Sequence, residues 1–112
     1  MLHRVRLQLR IVAALLVFAL TSSARADRDP VPPGSRADGA AYVSGDGFGA
    51  SVAFVAKELD RRGLAFHQVG PYRVHGIDVA RFIAGDARGP WVAIHVFRAQ
   101  GKTWISFVKR SP

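Results

Sequence analysis

The segment from Trp91 to Lys109 reads WVAIHVFRA, then QG, then KTWISFVK. Two runs rich in β-branched and aromatic residues flank a turn that contains glycine, which is the pattern of a β-hairpin. A two-residue loop at Gln100-Gly101 places Val96 opposite Ile105, and a four-residue loop gives the same pairing. The sequence therefore predicts a hairpin in this register. The remaining segments are interpreted below by how they would pack on it or pair with it.

Side chains alternate across a strand, so this register predicts two different faces. One face is continuously apolar and is expected to be buried against a helix: Val92, Ile94, Val96, Ile105 and Phe107. The other face gathers aromatic residues around a histidine and is the candidate partner-binding surface: Trp91, His95, Phe97 and Trp104. Exposed aromatic patches commonly bind partners. The alternative is that this face is the second side of a packed core.

The first 26 residues have the order of a secretory signal peptide. Arg4, Arg6 and Arg10 precede an unbroken apolar run from Ile11 to Leu20, and the small residues that follow end in Ala24-Arg25-Ala26. The apolar run has about half of the roughly 20 residues that a membrane-spanning helix needs. We therefore expect cleavage after Ala26 and a periplasmic or secreted protein. The alternative is a retained segment that would be the protein's contact with the membrane.

Composition excludes several functional classes. The sequence has no cysteine, which excludes disulfides, thiol chemistry and thiolate metal sites. Four of the 16 basic residues and none of the eight acidic residues lie in the first 26 positions, so the rest of the chain carries a net charge of +4. These charges are scattered, whereas nucleic-acid-binding proteins usually show a basic stripe with interleaved aromatic residues. We expect no nucleic-acid partner.

Residues 27–47 are predicted to be a flexible leader rich in proline and glycine, followed by a small domain at 48–112. Pro30, Pro32 and Pro33 disfavour a helix in the leader. The stretch from Gly45 to Ala50 fits the pattern G-x-G-x-x-A of dinucleotide-binding proteins. No convincing strand precedes it, however, and Asp46 would repel a phosphate. We expect a flexible helix start there and no cofactor.

One amphipathic helix is predicted after the leader. Val52, Val55, Ala56 and Leu59 recur at the spacing of one helical face, and Gly63 is placed as the residue that ends the helix. This single apolar stripe is typical of a helix that lies on a sheet.

Shorter extended segments are expected between the helix and the hairpin. Two pieces flank Gly70-Pro71, and a turn follows at His75-Gly76. The segment Ile77–Ala84 favours a strand, while a short helix with Asp78 as its N-cap is the alternative. The predicted fold class is α+β: one helix packed on a small antiparallel sheet of about four strands that ends in a β-hairpin.

Catalytic and metal-binding patterns are weak. His67, His75 and His95, with Asp78, lack the spacing of a metal site and belong to separate elements. Ser106 is the serine predicted beside a histidine, but no third group orients the pair. We therefore expect no catalytic residue and no metal. The alternative functions are a small hydrolase or metal-dependent enzyme that uses His95 or His75 with Asp78, and an inhibitor of a secreted enzyme.

Four stretches carry a family resemblance: RRGL at residues 61–64, FHQVG at 66–70, PWVAIHVF at 90–97 and WISFV at 104–108. Together they resemble the extracytoplasmic part of bacterial transmembrane anti-sigma factors, over about Val52 to Lys109. The resemblance implies a small envelope module for sensing or partner binding. The sequence lacks the cytoplasmic sigma-binding domain and its His/Cys metal motif, so sigma-factor inhibition is not implied. We expect a non-catalytic envelope module that binds a protein or another envelope component.

Overall fold

The computed structural model describes residues 28–111, in which the chain forms one helix and six strands. The predicted signal peptide, residues 1–26, lies outside this range. In chain order the elements are β1 (Arg36–Asp38), β2 (Ala41–Val43), α1 (Phe48–Arg61), β3 (Phe66–Val74), β4 (Ile77–Ala84), β5 (Trp91–Ala99) and β6 (Lys102–Lys109).

The six strands form one antiparallel sheet in the order β1-β2-β6-β5-β4-β3. Strands β3 to β6 each pair with the next strand in sequence, as short connections require. The α+β class and the single helix on an antiparallel sheet are therefore confirmed. The expected count of about four strands is wrong, because β1 and β2 extend the sheet beyond β6.

Both additional strands come from the segment that was predicted to be a flexible leader, so this part of the prediction is also wrong. Strand β1 pairs with β2, and Tyr42 of β2 pairs with Ile105 of β6. Pro32 is buried. Proline prevents a helix but is compatible with an extended segment whose rings pack on a neighbour. Strands of three residues are too short to show an alternating pattern, so the sequence gives no periodic signal for them.

Helix α1 lies on one face of the sheet and packs on β4 and β5. Val52, Val55 and Leu59 are buried, which confirms the predicted stripe. The helix ends in a Schellman motif: the Leu64 N–H donates to the Leu59 carbonyl at 3.0 Å, and Gly63 has a φ of 69°. The glycine is needed at this position because residues with a side chain rarely adopt a positive φ.

The β5–β6 hairpin has the predicted register, with Val96 opposite Ile105 and Ile94 opposite Phe107. The two loop residues, Gln100 and Gly101, have φ values of 55° and 74°. Two successive positive φ values are typical of a type I′ turn, whose twist suits a two-residue hairpin.

A β-bulge at the start of β5 changes which side chains are buried. The pairing shifts between Trp91 and Ala93, so that Val92 is the extra residue. Because the extra residue reverses the alternation, Trp91 lies in the core at 0% exposure and Val92 points outward at 38%. The predicted positions of Trp91 and Val92 are therefore both wrong, while Ile94, Val96 and Ile105 are fully buried as expected.

Strands β3 and β4 form a second hairpin, whose loop residues His75 and Gly76 also have positive φ. The strand favoured for Ile77–Ala84 is confirmed. The two predicted pieces around Gly70-Pro71 are one strand, with a register shift between Val69 and Tyr72 where the Gly70–Pro71 peptide bond is cis.

Candidate binding surface

The sheet face opposite to α1 is apolar, and no other helix or strand in residues 28–111 lies on it. Cross-strand partners share a face, so the register defines this surface, which we call the open face. Its large aliphatic residues Val69, Val74, Ile77, Ile83 and Val108 are between 37% and 43% exposed. By the register, the open face consists of Arg36, Asp38, Ala41, Val43, His67, Val69, Tyr72, Val74, Ile77, Val79, Arg81, Ile83, Ala93, His95, Phe97, Ala99, Lys102, Trp104, Ser106 and Val108, with Arg36, Asp38, His67 and Lys102 at its margins.

An aromatic pair lies at the middle of one cross-strand row on the open face. Phe97 and Trp104 are register partners, and their rings stack with centroids 6.4 Å apart and an interplanar angle of 12°. Tyr72 and Val79 continue the row on one side, and Val43 continues it on the other. The half-buried rings therefore stand in a continuous apolar band across five strands.

A polar row runs beside this band. Arg81 of β4 pairs with His95 of β5, which pairs with Ser106 of β6. Partial burial lowers the pKa of His95 below its usual value, and the positive charge of Arg81 lowers it further. Within residues 28–111 no carboxylate forms an ion pair with Arg81. A guanidinium without a counter-charge thus lies in the middle of an apolar surface.

The structure brings three of the four predicted surface residues together: His95, Phe97 and Trp104 all lie on the open face. Trp91 does not belong to this surface, and its assignment is corrected. Its indole Nε1–H donates to the Asp29 carboxylate at 2.8 Å, on the helix side of the sheet. The Arg62 guanidinium lies 5.6 Å from the centre of the Trp91 ring.

Asp29 holds the N-terminal segment against the sheet by two hydrogen bonds. Besides the indole of Trp91, its carboxylate accepts the phenol O–H of Tyr42 at 2.7 Å. This hydrogen bond raises the pKa of Tyr42, and burial and the negative charge of Asp29 add to the effect. We call this group of three side chains the Asp29 clasp.

Sequence reasoning missed Arg81 as a member of the surface. The alternation of a strand over Ile77–Ala84 does place Arg81 with Ile77 and Ile83, but nothing in the sequence pairs it with His95. That neighbour depends on the register of β4 against β5, which is a long-range property. A lone arginine within an otherwise aliphatic strand face was the available signal.

The residues considered for catalysis or metal binding lie apart. His67 belongs to β3, His75 to a turn and His95 to β5, while Asp78 pairs with Arg73 at 3.1 Å. No group of three potential metal ligands occurs in the part of the chain that the structure describes. Ser106 is opposite His95, but no hydrogen bond joins their side chains. The arrangement offers a surface for contact and no assembled reaction centre among residues 28–111.

Comparison with models of known families, with characterised proteins and with solved structures finds no match for this chain. Among residues 28–111, no helix has both the length and the apolar character needed to cross a membrane.

Proposed function

We propose that this protein is an exported, non-catalytic binding module of the cell envelope, which holds a protein partner on its open face. The observation that supports this function is the apolar surface of a six-stranded sheet with the stacked Phe97–Trp104 pair at its centre. Large apolar patches on small proteins commonly bind partners. Aromatic residues and arginine are also the residue types that contribute most to binding.

The charge of the open face indicates the chemistry of the partner. Arg81 forms no ion pair in residues 28–111. The acid that shares its cross-strand row, Asp38, lies four strands away in β1, at the edge of the sheet. A complementary surface would therefore surround a carboxylate with apolar side chains. A second copy of this chain would have to meet Arg81 with Asp38 from the edge strand β1, so a dimer is the alternative outcome of the test.

Export is the second part of the proposal, and it rests on the charged, apolar and small-residue order of residues 1–26. The resemblance to the extracytoplasmic part of anti-sigma factors is compatible with an envelope partner and stays a prediction.

The binding proposal is tested with two variants of the open face and one matched control. Proteins captured from envelope extract by the mature protein would be purified, and their affinity would be measured by calorimetry. We expect Trp104→Ser and Arg81→Glu each to weaken binding by about tenfold or more, as loss of a central contact does. Lys57→Glu makes the same charge change on the exposed side of α1 and should leave the affinity unaltered.

Two outcomes would contradict the proposal. One is a partner whose affinity is insensitive to both open-face variants although their melting temperatures match the wild type. The other is a dimer in size-exclusion chromatography with light scattering that Trp104→Ser dissociates, because the open face would then be covered by a second copy.

A further inference from the structure

A pocket lies between the N-terminus of α1 and the β5–β6 turn, at the end of the sheet. Its volume is about 380 Å³. The residues that matter for its chemistry are Asp46, Gly47, Phe48, Arg98, Lys102 and Thr103.

Free backbone donors point out of the first turn of α1. The helix has 14 residues and begins after Gly47, with no side-chain cap and no acidic residue in its first turn. The N–H groups of Phe48, Gly49 and Ala50 have no hydrogen-bond partner among residues 28–111. Added side chains at Gly47 and Gly49 would meet open space, so no neighbouring residue crowds these donors. Such a helix end favours an anion.

Thr103 is an independent indication of a ligand. It is only 6% exposed, lies on the helix side of β6 and lines the pocket. Its hydroxyl makes no hydrogen bond within the described part of the chain. Every side-chain oxygen or nitrogen of residues 28–111 that is sealed from solvent has a hydrogen-bond partner. The Thr103 hydroxyl has no partner, so it must be accessible, and we place its opening in the pocket that Thr103 lines. A hydroxyl that opens into a pocket from an otherwise buried side chain can donate a hydrogen bond to a bound group.

Positive charge completes the pocket. Arg98 is the register partner of Thr103, and neither Arg98 nor Lys102 forms an ion pair in residues 28–111. The carboxylate of Asp46 also lines the pocket and opposes an anion. The two cations outweigh this single negative charge, and the free N–H of Phe48, which also lines the pocket, adds to them. Arginine is well suited to bind two oxygens of one oxyanion.

We propose that this pocket binds a phosphate group, held by the N–H groups of the first turn, the Thr103 hydroxyl and the Arg98 guanidinium. The site takes the oxyanion and not a dinucleotide. Strand β2 before the helix and β3 after it lie at opposite parts of an antiparallel sheet, so the parallel β-α-β crevice that holds a dinucleotide is missing from residues 28–111.

The proposal is tested by amide NMR titration of the mature protein with inorganic phosphate, with sodium chloride at matched ionic strength as the reference. We expect saturable shifts of the Phe48, Gly49 and Ala50 amides. Arg98→Gln should weaken binding by about tenfold, since it removes a charge-assisted hydrogen bond. Asp46→Asn should strengthen binding by a few fold, because it removes the opposing charge.

Thr103 provides a matched pair of variants. Thr103→Val keeps the shape and should weaken binding by about threefold to tenfold, whereas Thr103→Ser keeps the hydroxyl and should retain it. Arg81→Glu, on the open face, should leave phosphate binding unaltered, which separates this site from the proposed partner surface. Melting temperatures of all variants establish that they are folded.

A parallel titration with glycerol phosphate identifies the source of the ligand. Tighter binding of free phosphate supports a site for the ion, and equal or tighter binding of the ester supports a site for the phosphoryl group of a larger molecule. The proposal is overturned if the amides show no saturable shift, if chloride or acetate reproduces it, or if Arg98→Gln and Thr103→Val leave the affinity unchanged.

Discussion

Ile94 and Phe97 are three positions apart in one strand, yet they face different surroundings. Ile94 is fully buried under α1, whereas Phe97 lies on the open face and is half-buried against Trp104. The free energy of unfolding should therefore depend on them unequally.

We predict that Ile94→Ala lowers the free energy of unfolding by about 2–5 kcal/mol, because it leaves a cavity in the core. Phe97→Ser should cost clearly less, because part of that ring is already in contact with water. Urea unfolding of both variants measures the difference. Equal losses would mean that the open face is ordinary core, and a larger loss for Phe97→Ser would reverse the assignment of the two faces.

His95 should make stability sensitive to mild acid. Its pKa in the folded protein lies below the usual value of 6.5, chiefly because of burial and also because of Arg81. The unfolded chain therefore takes up a proton on this residue first as the pH falls. The associated stability is complete above about pH 6.5 and is lost as the pH decreases towards the pKa of the folded state.

We expect the urea midpoint to fall less between about pH 7.5 and pH 5 in His95→Gln than in the wild type. His67→Gln is the control, since it removes an exposed histidine and keeps His95. An identical pH dependence of His95→Gln and the wild type would contradict the assignment.

At the level of elements, the N-terminal strands depend on the Asp29 clasp. The pair β1–β2 lies at the edge of the sheet and has only three residues in each strand. Their pairing is short, so side-chain contacts from Asp29 to Trp91 and Tyr42 contribute much of what fixes the segment.

We predict that Asp29→Ala lowers the free energy of unfolding by about 2–4 kcal/mol, because two partly or fully buried donors lose their acceptor. Amide hydrogen exchange in β2 should accelerate as well. Asp38→Ala, which removes an exposed acid from β1, should change either property little. If Asp29→Ala and Asp38→Ala behave alike, the clasp does not stabilise the fold.

Local signals explain which elements could be predicted from the sequence. The stripe of Val52, Val55 and Leu59 and the turn at Gln100-Gly101 each lie within a few residues, so periodicity and turn chemistry were sufficient. The bulge at Val92 adds one residue without any compositional mark, and it moved Trp91 out of the predicted surface. Strands β1 and β2 were missed because three residues cannot show alternation, and the neighbours of Arg81 depend on register between distant segments.

For the whole molecule, processing is the prediction with the widest consequence. We expect the exported protein to begin at Asp27, because a short apolar run is followed by Ala24-Arg25-Ala26. Intact mass of the envelope fraction checks this directly. Ala26→Arg should leave the precursor uncleaved, whereas Ala53→Arg, on the exposed side of α1, should be processed normally. A dominant species that retains Met1 would show a membrane-bound protein instead.

The neighbouring positions of β2 and β6 determine when the fold can close. The sheet places the second strand beside the sixth, and the Asp29–Trp91 hydrogen bond joins residues 62 positions apart. During synthesis or translocation, β3 and β4 can pair as soon as they emerge, and β1 can pair with β2, but this N-terminal pair cannot join the other strands until β6 follows. Strand β2 is synthesised before the helix and the four longer strands, yet its pairing with β6 is among the last to form, because long-range pairings generally form late. Until then the unpaired edge of β5 is available to a chaperone or to another unfinished chain.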